Sequence, residues 1–299
     1  MTLDAKRLHL IERAALRLDQ AAAWAPAAPA SDMPHPDMAM PLPAQEEALP
    51  FRKPADRPAT ERAAALDAAA LRRAGTVDWE APDGRVSEEI RIVQTEILRR
   101  GAVGAPSAGS RGRLVMVTSA VAREGKSFAA INVAVGIARQ GDCRVLLVDA
   151  DGRVGSLAAR FGLGAAPGLL DLAADRALDP AQLTVPSCIA GLEFLPFGEA
   201  AKSSEAPGGG AAGAIEAIAR RFPDRLVLID TPPCLSSSRP HLLAPLVGQA
   251  VLVVAAGSTQ EGDVDAALGL LRSCPEVSLL LNKVRPWHAH SYGSYAHAI

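Results

Sequence analysis

The residues of this sequence best suited to chemistry are a lysine, a serine and three aspartates. Gly125-Lys126-Ser127 closes the stretch TSAVAREGKSF at 118–128. An ammonium and a hydroxyl behind a glycine suit a loop that cradles phosphates, with Lys126 reaching the outer phosphates and Ser127 ligating Mg²⁺. Such loops are usually rich in glycine, whereas Ala120, Ala122 and Arg123 stand here. LLVDAD at 146–151 supplies Asp149 and Asp151. Two carboxylates one residue apart can hold a metal-bound water or take a proton from an attacking hydroxyl. LVLIDTPP at 226–233 sets Asp230 behind four apolar residues, the form of a Walker B aspartate that orients Mg²⁺. LLLNKV at 279–284 ends in Asn282-Lys283, either an amide that reads an adenine edge or a plain turn. A G-K-S turn or a lone strand-ending aspartate arises easily by chance. The first three elements together, in this order, predict a nucleotide site.

These residues need a sheet edge to bring them together. Short apolar runs at 114–118, 144–148, 226–229, 250–255 and 277–281 read as strands, separated by helical stretches such as 128–139 and 214–221. Runs apolar on both faces imply a mostly parallel sheet covered by helices on both sides, an α/β P-loop fold. Such sheets bind ligands at the carboxyl ends of their strands, and Asp149 and Asp151 are expected beside the phosphate-loop strand. PGGGAAG at 207–213 reads as a loop or a flexible lead into the following helix, and Ser87 as the cap of a helix over SEEIRIVQTEILRR.

The organisation expected from composition is a short amphipathic helix at 1–25, an Ala/Pro-rich flexible linker at 26–84, a P-loop domain at 85–286 and a tail at 287–299. The linker assignment rests on nine prolines between 26 and 58 and few large apolar side chains. Within it, 61–73 suits a local helix ended by Gly75. A net charge of −2 gives no general field for nucleic acid or an anionic membrane. No run of apolar residues is long enough to span a bilayer, and no secretory signal opens the sequence. Cys143, Cys188, Cys234 and Cys274 are scattered and read as single buried thiols in a reducing cytoplasm. His288, His290 and His297 read as polar tail residues rather than metal ligands.

TSAVAREGKSF, LLVDAD, LVLIDTPP and LLLNK, in this order and spacing, resemble the bacterial tyrosine autokinases of exopolysaccharide synthesis, within the MinD/ParA-like P-loop superfamily. The nearest likeness is to the branch associated with exosortase-type systems. It runs from about Glu88 to the C-terminus and includes PGLLDL at 167–172. The resemblance implies a protein-tyrosine kinase that transfers the ATP γ-phosphoryl group to tyrosines of its own tail. It also implies a homo-oligomeric ring and activation by a membrane-bound chain-length regulator. That activator would be a separate protein, leaving this chain in the cytoplasm, held at the inner membrane through its partner. By residue matching, Ala122, Arg123, Glu124, Gly125, Lys126, Ser127 and Phe128 would line the nucleotide site. Ser127, Asp151 and Asp230 would serve Mg²⁺, and Asp149 would accept the proton. The tail agrees independently, because Tyr292 and Tyr295 are the two tyrosines of the whole chain.

Three departures from the family pattern stand out. Where the family loop reads P-G-E-G-K-S, this chain has Arg123 in place of the first glycine. If that position needs positive φ, the substitution costs about 1–2 kcal/mol, although an arginine there can also pair with phosphate. Gly152-Arg153-Val154-Gly155 replaces the usual Arg-Pro after the second motif. In the family's E-x-x-R-x-x-R oligomerisation motif, Glu88 and Arg91 match but Gln94 replaces the last arginine. A rival of another class is therefore a nucleotide-binding scaffold that has lost phosphoryl transfer. A partitioning ATPase of the MinD/ParA type ranks lower, because Val121 stands where those loops carry a signature lysine.

Overall fold

The computed structural model describes residues 66–79, 85–100, 111–198 and 209–284. The expected helix at 1–25, the linker before residue 66 and the tail with Tyr292 and Tyr295 lie outside the described residues.

In chain order the elements are α1 (Ala68–Ala74), α2 (Arg85–Arg100), β1 (Leu114–Ser119), α3 (Lys126–Gln140), β2 (Arg144–Asp149) and α4 (Leu157–Arg160). Then follow α5 (Leu169–Ala174), β3 (Val185–Pro186), β4 (Leu192–Leu195), α6 (Gly209–Arg221) and β5 (Arg225–Asp230). The series closes with α7 (Arg239–Leu243), β6 (Gln249–Ala255), α8 (Glu261–Leu270) and β7 (Glu276–Asn282). The sheet order is β3-β4-β2-β5-β1-β6-β7, parallel throughout except for the β3–β4 pair. Every residue of β1 and β6 is buried, as expected of strands covered on both faces. Val115, Val117, Val145, Leu147, Leu226 and Leu228 face one core with α1 to α4. Ile215, Ile218, Leu243 and Val264 are among the buried side chains of α6, α7 and α8.

All five expected strands form, within a residue of their expected ends, while β3 and β4 are additional. Strand β2 does not lie beside the phosphate-loop strand. Helix α3 carries the chain past one strand position, and β5 fills the slot between β1 and β2. The helix expected near 214 begins at Gly209, so the Gly/Ala run is helical rather than a loop. Helix α2 starts at Arg85, which leaves Ser87 inside it, buried and not a cap.

Part of the expected flexible linker belongs to the folded core. Asp67 caps α1 by accepting from the Ala70 N–H at 2.6 Å, and Gly75 ends it in the left-handed conformation, φ 101°. Leu66, Leu71 and Ala74 are buried against the main core. Leu66 pairs with the edge of β3, its N–H donating to Pro186 and its carbonyl accepting from Cys188. Asn132 of α3 accepts from the Val77 N–H at 2.8 Å and donates to the Gly75 carbonyl at 3.0 Å. The apolar side chains of this short stretch were too few to register as core in a composition dominated by alanine and proline.

Gln94 is fully buried and lies against Gly136 of α3, where an added Cβ would sit 1.6 Å from its amide nitrogen. Glu88 and Arg91 pair with each other on the exposed side. Steps of three residues fall 60° short of a full turn, so the third position of the motif rotates inward. Among the described cysteines, Cys234 and Cys274 are buried as expected, but Cys188 is exposed.

Candidate active site

The carboxyl ends of β1, β5 and β2 converge. Asp230 is in register with Val117 on one side and Asp149 on the other. The Thr231 N–H donates to the Val117 carbonyl at 3.0 Å, and the Ala150 N–H to the Asp230 carbonyl at 2.8 Å. These bonds lock the end of β1 and the two aspartate-bearing strand ends into one edge.

From that edge the chain turns through 120–125 into α3. Gly125 is the N-cap of α3 at φ 100° and makes no side-chain cap bond. The uncapped N-terminus of a 15-residue helix therefore faces the loop, an arrangement that favours anions. Arg123 is also left-handed, at φ 68°. The position does demand positive φ, and the arginine carries the strain there. Left-handed residues in such a turn aim backbone N–H groups inward at an anion. Ala122 and Arg123 are exposed, whereas Glu124 is buried. The Glu124 carboxylate accepts from the Val121 N–H at 2.7 Å and from the Thr259 hydroxyl, tying the loop to the turn after β6. Phe128 lies on the α1 side, near Gly75.

Lys126 sits between the acidic groups. Its Nζ lies 2.5 Å from Asp151 Oδ2, 3.6 Å from Asp230 Oδ1 and 3.1 Å from Ser127 Oγ. Arg153 Nε donates to Asp151 Oδ1 at 2.6 Å, so two cations share one carboxylate. Burial raises Asp151, but the hydrogen bonds from Arg153 and Lys126 outweigh it and hold the carboxyl below its usual range. Asp230 is different. It is fully buried, neither oxygen has a hydrogen-bond partner, and burial pushes its carboxyl up to about 7 against the pull of Lys126. Orphaned carboxylate oxygens beside Ser127 and Asp151 are oxygen donors suited to a hard divalent cation. Mg²⁺ typically takes one or two carboxylates and completes its shell with phosphate oxygens and water. The residues present fit that group.

Asp149 is committed to the backbone. Its Oδ1 accepts from the N–H groups of Asp151 and Gly152 at 2.9 and 3.4 Å, and its Oδ2 from Ala158 at 2.8 Å, with no exposed surface. The carboxylate thus shapes the turn that presents Asp151. Gly152 is left-handed at φ 64°, and a Cβ there would lie 2.1 Å from the Phe197 ring. The residue after Asp151 is glycine because the ring leaves no room.

The structure also brings in residues that the motifs did not reveal. Arg239, at the start of α7, stacks over Phe197 at 5.0 Å and donates to the Ala150 carbonyl at 2.5 Å. The only local sign of it was an Arg-Pro pair nine residues beyond Asp230. Of the Asn282-Lys283 pair, read from sequence as either an adenine-reading amide or a plain turn, Lys283 donates to the Arg123 carbonyl at 2.5 Å and Asn282 to the Glu124 carbonyl at 2.9 Å.

No family model matches the chain. Over 218 residues it is 33% identical to "Putative tyrosine-protein kinase EpsB" of Ralstonia nicotianae, covering 71% of this chain but 28% of that relative. The chain thus spans little more than a quarter of that protein's length. "Tyrosine-protein kinase YwqD" of Bacillus subtilis is 29% identical over 226 residues, covering 72% of this chain and 88% of the relative. Among solved structures, the BceF tyrosine kinase domain superposes with a TM-score of 0.53 at 25% identity, over 66% of this chain and 78% of that domain.

Proposed function

Since the chain belongs to the family of bacterial tyrosine kinases built on the P-loop fold, we propose that it is an ATP-dependent protein-tyrosine autokinase. Its acceptors are Tyr292 and Tyr295 of the tail, and its role is to regulate exopolysaccharide polymerisation or export. It acts as a homo-oligomer in the cytoplasm, at the inner membrane through a membrane-bound chain-length regulator. The observation that carries the reading is Lys126, held at 2.5 Å from Asp151 and 3.6 Å from Asp230 in front of an uncapped helix N-terminus.

Phosphate oxygens entering the loop compete with Asp151 for Lys126, and backbone N–H groups of the loop and α3 receive the remaining charge. Ser127, Asp151 and Asp230 would hold Mg²⁺, which supplies charge neutralisation across the phosphates. The tyrosine oxygen attacks the γ-phosphorus, the bond to the β,γ-bridging oxygen breaks, and ADP leaves. The phenolic proton passes to the Asp149–Asp151 pair. Asp149 matches the family's proton acceptor, but it is sealed by three backbone N–H donors. Transfer to it requires the turn at 150–158 to open. Asp151 already faces the ammonium.

That sealed Asp149, together with the strained Arg123, favours a second reading, a nucleotide-binding scaffold without phosphoryl transfer. Intact-mass and peptide mass spectrometry after incubation with Mg·ATP separates the two. Phosphate on Tyr292 or Tyr295, absent in Lys126→Met, is the expected result. ATP binding without phosphate, even with a soluble fragment of the membrane activator, leaves the scaffold reading. Failure to bind ATP sinks both.

A further inference from the structure

Two non-glycine residues among those described adopt positive φ, Arg123 at 68° and Lys283 at 59°. They are joined, since Lys283 Nζ donates to the Arg123 carbonyl at 2.5 Å. The neighbouring pair is joined in the same way. Asn282 Nδ2 donates to the Glu124 carbonyl at 2.9 Å, and an added Cβ on Gly125 would meet that nitrogen at 2.0 Å. Two successive residues at the end of β7 thus hold two successive carbonyls of the phosphate loop. On the other side, the buried Glu124 carboxylate receives the Val121 N–H and the Thr259 hydroxyl. The loop is fastened from β7 and from the turn after β6, around its one strained residue.

The physical need is specific to this sequence. A glycine enters the left-handed region without steric cost, whereas an arginine resists it and returns to negative φ unless something opposes the return. That return would reorient the peptide between residues 123 and 124, whose carbonyl Lys283 holds. We infer that Lys283 is a positioning residue of the phosphate loop. By holding the Arg123 carbonyl, it keeps the loop in the turn that glycine would adopt unaided. Its effect on ligand rests on the nucleotide-site reading above.

The experiment compares the full chain with Lys283→Met, Arg123→Gly and the double variant. Amide hydrogen exchange at 121–126 without nucleotide reads the loop, and calorimetry reads Mg·ATP affinity. Lys283→Met is expected to speed exchange and weaken affinity about tenfold. The double variant should match Arg123→Gly in both readouts, and Lys283→Arg, which keeps a donor, should retain most of the affinity. An equal loss with and without the glycine would show that the ammonium attracts phosphate directly and would overturn the inference. No change in either background would overturn it too. Should the unaltered chain not bind Mg·ATP, the nucleotide-site reading falls, and the exchange comparison still decides whether Lys283 holds the loop.

Discussion

At Lys126 one ammonium answers two carboxylates, and the two respond differently. Asp151 has Arg153 as a second donor and is held ionised, while Asp230 has burial against it and ionises only near pH 7. An unfolded aspartate ionises near 3.9. Between those values the folded protein holds a proton that the unfolded chain has released. Asp230's contribution to stability is therefore complete below about pH 4 and is lost as pH rises through 7. Asp151, shifted the other way, titrates below this window. The unfolding free energy of the nucleotide-free protein should accordingly decline between about pH 4 and 7, by a share, on the order of a few kcal/mol, that Asp230→Asn removes. An unchanged slope in Asp230→Asn would mean that its carboxyl is already ionised at pH 5. If Asp230 holds Mg²⁺ as proposed, it must do so ionised, so Mg·ATP binding near pH 6 should release a proton, visible as a buffer-dependent heat.

Among the elements, α1 is short yet well anchored. Asn132 reaches it from α3, Arg160 donates to its Ala74 carbonyl at 3.2 Å, and Leu66 extends the edge at β3. Because α3 begins with Lys126 and Ser127, α1 braces the helix that carries the two side chains proposed to bind phosphate. If α1 is core, Leu71→Ala should cost about 2–5 kcal/mol in denaturant unfolding. A loss near zero would return this stretch to the linker. The helical Gly/Ala run at 209–213 shows the same point from the other side. Glycine lowers helix propensity by about 1 kcal/mol per residue, but packing of a helix face overrides such a prior.

For the whole molecule, β7 ends beside the loop at 120–125, and the two tyrosines come 10 and 13 residues later in the sequence. Whether a tail serves its own site or a neighbour's is a question of assembly. Mixing Lys126→Met, as acceptor, with a chain carrying Tyr292→Phe and Tyr295→Phe should place phosphate on the Lys126→Met tail, at a rate that rises with concentration. Phosphate confined to intact chains, with none on that acceptor, would mean that each site modifies its own tail. Gln94, at the third position of the expected oligomerisation motif, is buried and faces Gly136 within the same chain.

The five strands that carry the candidate site, and the motif residues at their ends, were legible from the amino acids alone. Both are local signals: an apolar run reports a buried strand, and a glycine-lysine-serine step reports a left-handed turn into a helix. Gly75 as a helix stop was legible for the same reason. That β5 separates β2 from β1 while Asp151 still reaches Lys126 follows from long-range packing, which the fold alone reveals. It also shows that Asp149 is spent on backbone N–H groups, and that Phe197 and Arg239 shape the turn at Gly152. The same holds for Arg123, whose left-handed backbone is opposed by its own side chain and held by a lysine 160 residues away. No local pattern could report these, because each depends on the energy of a contact between segments remote in the chain.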